Sequence, residues 1–222
     1  MPRRPHAVLF DMDNTLYNFV DAKIAACTRV VELFGLSDGM PLFRYFLRNV
    51  HGFEHHDNIR DYLADLSLGD EDQIAEACRI YEAVKLEEIR PYPALHETLE
   101  LIRDAGIAMG VVTDAESFQA KKRLAKIGID HFFQCVVCPD HSGRRKPEHD
   151  SFLLALSLLS VRPEEAWLVG DSLRREVLPG QEIGMITVHA KYGDWIGAPS
   201  HSIVPDYVLQ EFAELPDLLG LR

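Results

Sequence analysis

The chain has 222 residues, 47% hydrophobic and 26% charged, an ordinary globular composition with room for a sizeable core. Its 23 basic and 35 acidic residues leave a formal charge of −12, which argues against a nucleic-acid or anionic-membrane surface, since both need a basic face. No apolar stretch approaches the ~20 residues that span a bilayer, and Met1–Pro5 lacks an apolar signal region and cleavage site, so the expected location is cytoplasmic. An anionic substrate would have to be drawn by local positive charge or metal, because the overall field repels it. The length allows one large domain, or one domain with a smaller one inserted.

In chain order, Ala7–Phe10 is an apolar run that reads as a buried strand. It ends in two carboxylates, Asp11 and Asp13. Alternation along an extended chain puts both on one side. Two such charges repel by up to ~4 kcal/mol at an effective dielectric of 20. A cation that neutralises them, or a proton kept on one for acid–base work, accounts for the pair. A plain Asp13-Asn14-Thr15 turn is the competing reading.

Residues 18–90 are helical in pattern, with stretches near 18–35, 40–50, 57–66 and 71–88. Ile74, Ala77, Cys78, Tyr81 and Val84 recur at three- and four-residue spacing. Gly35, Gly39–Pro41, Gly52 and Gly69-Asp70 punctuate the segment, and Pro91–Pro93 closes it. From there helices and strands alternate. Residues 94–105, 116–126, 148–158 and 173–182 read as helices, and 107–112, 134–137, 166–169, 185–188 and 205–209 as strands, before a short last helix. This order predicts an α/β fold with a doubly wound parallel sheet and helices on both faces. The strand at 7–10 belongs to that sheet, so 18–90 is an inserted helical domain, and 1–17 with 91–222 form the core domain. Cys135 and Cys138 have CxxC spacing in a strand-like run without a second pair, which suits reduced thiols better than a metal or redox site.

Polar residues recur at the ends of other predicted strands. Val112 runs into Thr113-Asp114, and Gly170 into Asp171-Ser172. Between them Gly143–Pro147 is a basic loop that holds Arg144, Arg145 and Lys146. Thr113-Asp114 and Asp171-Ser172 could each be helix caps, and the basic trio a solvated loop. Their joint occurrence along one sheet edge points instead to a site, because open α/β sheets bind ligands at the carboxyl ends of their strands. A carboxylate nucleophile, a second acid, a hydroxyl, a lysine and a further carboxylate suit phosphoryl transfer. Mg2+ takes hard oxygen ligands, usually one or two carboxylates with waters and phosphate oxygens.

With these residues together, the chain resembles the haloacid dehalogenase superfamily, on its phosphatase side, from Val8 to the strand at 205–209. The resemblance makes Asp11 the nucleophile and Asp13 the general acid/base. Thr113 matches the second motif, Lys146-Pro147 the third, and Gly170-Asp171 with Glu176 the fourth. It implies Mg2+ on the Asp11 carboxylate, the Asp13 carbonyl and the Asp171 carboxylate. Asn14, Thr113, Asp114 and Lys146 would bind the phosphoryl group, with Asp114 giving its amide, and Ser172 and Glu176 would form the outer shell of the metal. Asn14 stands where many members have glycine, and Glu176 where aspartate is commoner. Arg144 and Arg145 are left as loop residues.

The insertion matches the family's helical cap. Only about 30 residues separate Asp114 from Lys146, which one helix and one strand use up, so no second large cap is expected. His51, His55, His56, Arg44, Arg48 and Arg60 are candidate substrate contacts in the cap, with His56-Asp57 equally readable as a helix cap. The resemblance implies a Mg2+-dependent phosphomonoesterase. Its substrate would be a small soluble ester, such as a sugar phosphate, a phosphoglycolate-like acid or a nucleoside monophosphate. The enzyme would be a monomer or homodimer. Phosphosugar mutase and 2-haloacid dehalogenase of the same superfamily, and a non-catalytic ligand-binding member, are the alternatives. Asp13 speaks against the dehalogenase.

Overall fold

The computed structural model describes residues 4–195, 197 and 202–222; Met1–Arg3, at the head of the expected core domain, lie outside them. The chain divides into two compact units, one made of Met1–Asn18 with Pro91–Arg222, the other of Phe19–Arg90.

The first unit is built on a six-stranded sheet. Its strands are β1 (Ala7–Phe10), β4 (Ala108–Val112), β5 (Cys135–Val137), β6 (Ala166–Gly170), β7 (Ile186–Ala190) and β8 (Tyr207–Leu209). Two-residue strands β2 (Tyr17–Asn18) and β3 (Arg90–Pro91) stand outside it. The sheet runs in the order β5-β4-β1-β6-β7-β8, and each strand pairs in parallel with its neighbours. β1 is buried along its whole length, as a parallel strand covered on both faces must be. The chain works outward from β1 through β4 to β5, then crosses to β6 and works outward the other way. The order therefore reverses beside β1, where doubly wound sheets open a crevice for ligands. Register carries this to the residue level: Phe10 faces Val111 of β4 and Val169 of β6, so Asp11, Thr113 and Asp171 follow the ends of three adjacent strands. Helices α5 (Leu95–Asp104), α6 (Ser117–Lys126), α7 (Pro139–Ser142), α8 (Asp150–Leu159), α9 (Leu178–Glu182) and α10 (Leu215–Leu218) complete the unit. Leu9, Val112, Val137, Phe152, Leu156 and Leu168 form part of its core.

The second unit holds α1 (Phe19–Glu32), α2 (Met40–Leu47), α3 (Asp57–Asp65) and α4 (Glu71–Glu87). They pack around their own cluster, which includes Val30, Leu42, Phe46, Leu63 and Tyr81. Lys23 and Lys85 are buried in this unit. Lys23 donates to the Phe53 carbonyl and lies 3.4 Å from the Phe53 ring centroid; Lys85 pairs with Glu54 at 3.0 Å and Glu82 at 2.7 Å.

The expected helix over 173–182 is present but divided. Leu173–Val177 forms a π-helical turn, and only Leu178–Glu182 is α-helical. Pro179 has no N–H to return to a carbonyl four residues back, so the chain takes a wider turn before it. His56 does stand at the N-terminus of α3, but its side chain makes no cap bond there; Nε2 lies 3.0 Å from Glu82 Oε1 instead.

Candidate active site

The loop after β1 turns away from strand geometry, since β1 ends at Phe10. Strict alternation therefore does not extend to Asp13, and the two aspartates take different partners. The Asp11 amide donates to the Val169 carbonyl (2.8 Å), which fixes the residue against β6. Its carboxylate accepts from Thr15 Oγ1 (2.9 Å) and from the Lys146 ammonium. Asp13 accepts instead from Tyr17 Oη (2.5 Å) and Arg123 Nη1 (3.1 and 3.0 Å to its two oxygens). Asn14 between them has φ 62°, a left-handed backbone that asparagine enters more readily than most residues with a Cβ. This is the physical reason that it can stand where glycine is common.

Lys146 gathers the acids. Its Nζ donates to the Val112 carbonyl (3.3 Å) at the end of β4 and lies 2.7 Å from Glu176 Oε1. That last contact is a buried ion pair. Burial alone would lower the Lys146 ammonium, but the Asp11 and Glu176 carboxylates outweigh it and hold the group charged, above its ordinary value. Asp11, Asp171 and Glu176 offer carboxylate oxygens that all lie within 4.8 Å of one another. Burial, reinforced by Asp11 and Glu176, pushes the Asp171 carboxyl well up. Burial raises Glu176 too, against the pull of Lys146 and Arg175.

The donor set fits a hard divalent cation. Asp171 Oδ1 is buried without a hydrogen-bond partner, and it belongs to a cluster of three carboxylates faced by Lys146 and Arg175. Oxygen ligands of this kind are those that Mg2+ selects. Among the assigned residues, Asp11, Lys146, Asp171 and Glu176 come together; the Asp13 side chain engages Tyr17 and Arg123.

Thr113 is buried, and its amide donates to the Val137 carbonyl (3.0 Å) while its Oγ1 accepts from the Ala115 amide (3.1 Å). It does not cap α6, whose first residue is Ser117; that alternative is corrected. Asp114 ties two loops, because its Oδ1 accepts from the Lys146 amide (2.9 Å) and its carbonyl from Arg145 (2.6 Å). Arg145 is otherwise exposed and paired with Glu116, as a loop residue. Ser172 caps the π-helical turn by accepting from the Arg175 amide (3.3 Å), and its own amide donates to Glu176 Oε2 (2.9 Å).

Several supporting residues carry no motif. Arg175 places its guanidinium 3.7 Å from Glu176, 3.8 Å from Asp114 and 4.0 Å from Asp171, and Glu176 leads the acids that raise its pKa. His189 Nε2 contacts the Asp171 carbonyl at 3.0 Å. Tyr192 donates to the Thr15 carbonyl (2.8 Å), and burial pushes its phenol well up. Of the helical unit's candidate contacts, His51 and Arg48 pair within that unit with Asp61, His55 with Asp57, and Arg60 with Glu71. Cys135 and Cys138 form no disulfide.

The fold and this cluster define a hydrolase of the doubly wound α/β type. The sequence profile of the haloacid dehalogenase-like hydrolases matches residues 8–190. The chain belongs to that family. It is 30% identical to the glyceraldehyde 3-phosphate phosphatase of Methanopyrus kandleri, over 96% of each chain. It is also 30% identical to the N-acetylmuramic acid 6-phosphate phosphatase of Pseudomonas aeruginosa, over 86% of this chain and 83% of that one. Its fold is similar to that of the magnesium-bound YfnB of Bacillus subtilis, with a TM-score of 0.77 at 22% identity, over 98% of this chain and all of the other. No described helix is long and apolar enough to cross a membrane.

Proposed function

We propose that this protein is a Mg2+-dependent phosphomonoesterase of small soluble phosphate esters that works through an aspartyl-phosphate on Asp11. The observation that carries the reading is the Asp11 carboxylate, held by Thr15 and Lys146 beside Asp171 and Glu176 at the switch point of the sheet. The two relatives that are phosphatases by name support the substrate class.

An Asp11 oxygen attacks phosphorus, and the bond from phosphorus to the leaving oxygen breaks. That oxygen takes a proton from Asp13 and departs as an alcohol. Asp13, now a carboxylate, takes a proton from water as the water oxygen attacks phosphorus. Inorganic phosphate leaves and the Asp11 carboxylate returns. Thr113, the Asp114 amide and the Lys146 ammonium hold phosphoryl oxygens, with Asn14 in the same loop set. Asp11, Asp171 and the Asp13 carbonyl would hold Mg2+, with Ser172 and Glu176 behind them; when bound, the ion offsets the charge between nucleophile and phosphate. The unit Phe19–Arg90 is the cap domain in this reading and carries the choice of leaving group. Four free thiols suit the reducing cytoplasm, where we place the enzyme as a monomer or homodimer.

A panel of phosphate esters assayed with Mg2+ and with a chelator tests the reading. Turnover is expected only with the metal, and Asp11→Asn should lower kcat by roughly 10^3-fold or more, as loss of a nucleophile does. Release of an isomeric sugar phosphate without inorganic phosphate would point to a mutase, and chloride release from chloroacetate to a dehalogenase. No turnover on any ester would overturn the proposal.

A further inference from the structure

We infer that Arg123 and Tyr17 are positioning residues that aim the Asp13 carboxylate for proton transfer, an inference that rests on the phosphatase reading above. Arg123 lies on α6, 110 residues from Asp13, and its side chain is 1% exposed. Arginine is almost never fully buried unless paired. Here a single nitrogen, Nη1, straddles both Asp13 oxygens at 3.1 and 3.0 Å. Tyr17 Oη donates to Oδ1 of the same carboxylate at 2.5 Å. Donors from two elements fix a carboxylate in direction as well as in place.

The convergence matters because of what lies nearby. Lys146 already draws two carboxylates, Asp11 and Glu176, into one cluster. A loosely held Asp13, two residues along the chain, could swing toward that ammonium and be lost as a proton carrier. Arg123 and Tyr17 give it a separate anchor. Neither residue touches the reacting atoms in this assignment; both act through Asp13.

A general acid matters most when the leaving oxygen is a poor one. An alkoxide needs its proton, whereas p-nitrophenolate leaves with little help. The test is therefore kcat/KM for Arg123→Lys, Arg123→Met and Tyr17→Phe on glycerol 2-phosphate and on p-nitrophenyl phosphate, in Mg2+. The expected loss is about 10^2-fold on the alkyl ester for Arg123→Met, within the range for acid–base catalysis, and under about 10-fold on the aryl ester. Tyr17→Phe and Arg123→Lys should show the same skew to a smaller degree. In an Asp13→Asn background, Arg123→Lys should add less than about 3-fold, because the two act as one unit. Thermal melts check folding, and Tyr17→Phe, which removes one oxygen, serves if Arg123→Met does not fold. Equal losses on the two esters, unchanged rates, or a full additional loss in the Asp13→Asn background would overturn the inference. Wild-type protein inactive on these two esters and on every ester of the panel above would strike the phosphatase reading itself, a result visible before any variant is compared.

Discussion

At Gly170 an added Cβ would stand 2.4 Å from Glu176 Cγ and 2.6 Å from its Cβ, so Glu176 reaches the Lys146 cluster only because residue 170 has no side chain. Gly170 pairs with His189 of β7, which leaves its backbone little freedom to retreat. Gly170→Ala is expected to cost about 1–3 kcal/mol through overpacking. A chain of this size should then melt several degrees lower, at roughly 2–4 °C per kcal/mol. A melting temperature equal to wild type in metal-free buffer would mean that Glu176 can move aside at no cost. Gly193 shows the same dependence, since its Cβ would fall 1.8 Å from the Asn14 carbonyl oxygen. The Gly-Asp pair was legible in the sequence as a motif, but its packing reason was not, because Glu176 meets Gly170 only across the π-helical turn. Arg123 was illegible for another reason. It sits in a run of cations with Lys121, Lys122 and Lys126. Only its helical position, on one face with buried Ala120 and Leu124, marks it as turned inward.

Among elements, β1, β4 and β6 were readable because each is an apolar run that ends at a polar residue, and burial on both faces demands such runs. The helical stretch 71–88 was readable from its three- and four-residue spacing. Its start is set by a reciprocal cap: Asp70 Oδ1 accepts from the Gln73 amide (2.9 Å), and Gln73 Oε1 accepts from the Asp70 amide (3.0 Å). Asp70→Ala breaks this box and should cost about 1 kcal/mol, within the 0.5–2 kcal/mol usual for such caps. A urea midpoint unchanged at constant slope would show that α4 does not depend on its cap. The stretch 173–182 was less readable, because apolar spacing continues through Pro179 while the hydrogen-bond ladder cannot. Periodicity reports which face is buried; it does not report which carbonyls lose their donors.

At the scale of the molecule, the helical composition of 18–90 against the alternating pattern around it suggests two units, each of which would need its own core. The structure gives each one: the cluster around Val30, Phe46 and Tyr81 lies wholly within Phe19–Arg90, and that around Leu9, Phe152 and Leu168 wholly within the other unit. Four thiols sort in the same way, Cys27 and Cys78 to the helical unit, Cys135 and Cys138 to the core unit. Burial pushes Cys27 and Cys138 each up to about 12. A thiol with its pKa so far above the ordinary ~8.5 carries almost no thiolate at pH 8 and should resist a disulfide reagent while folded. Labelling at increasing urea, with the modified peptides located by mass spectrometry, then reads each core separately. If each cluster holds its unit together alone, Cys27 and Cys138 become reactive in distinct transitions, and Asp70→Ala moves that of Cys27 while leaving that of Cys138 in place. Coincident transitions that Asp70→Ala shifts equally would show that the two units melt as one cooperative body, and the independence argued from their separate cores would be wrong.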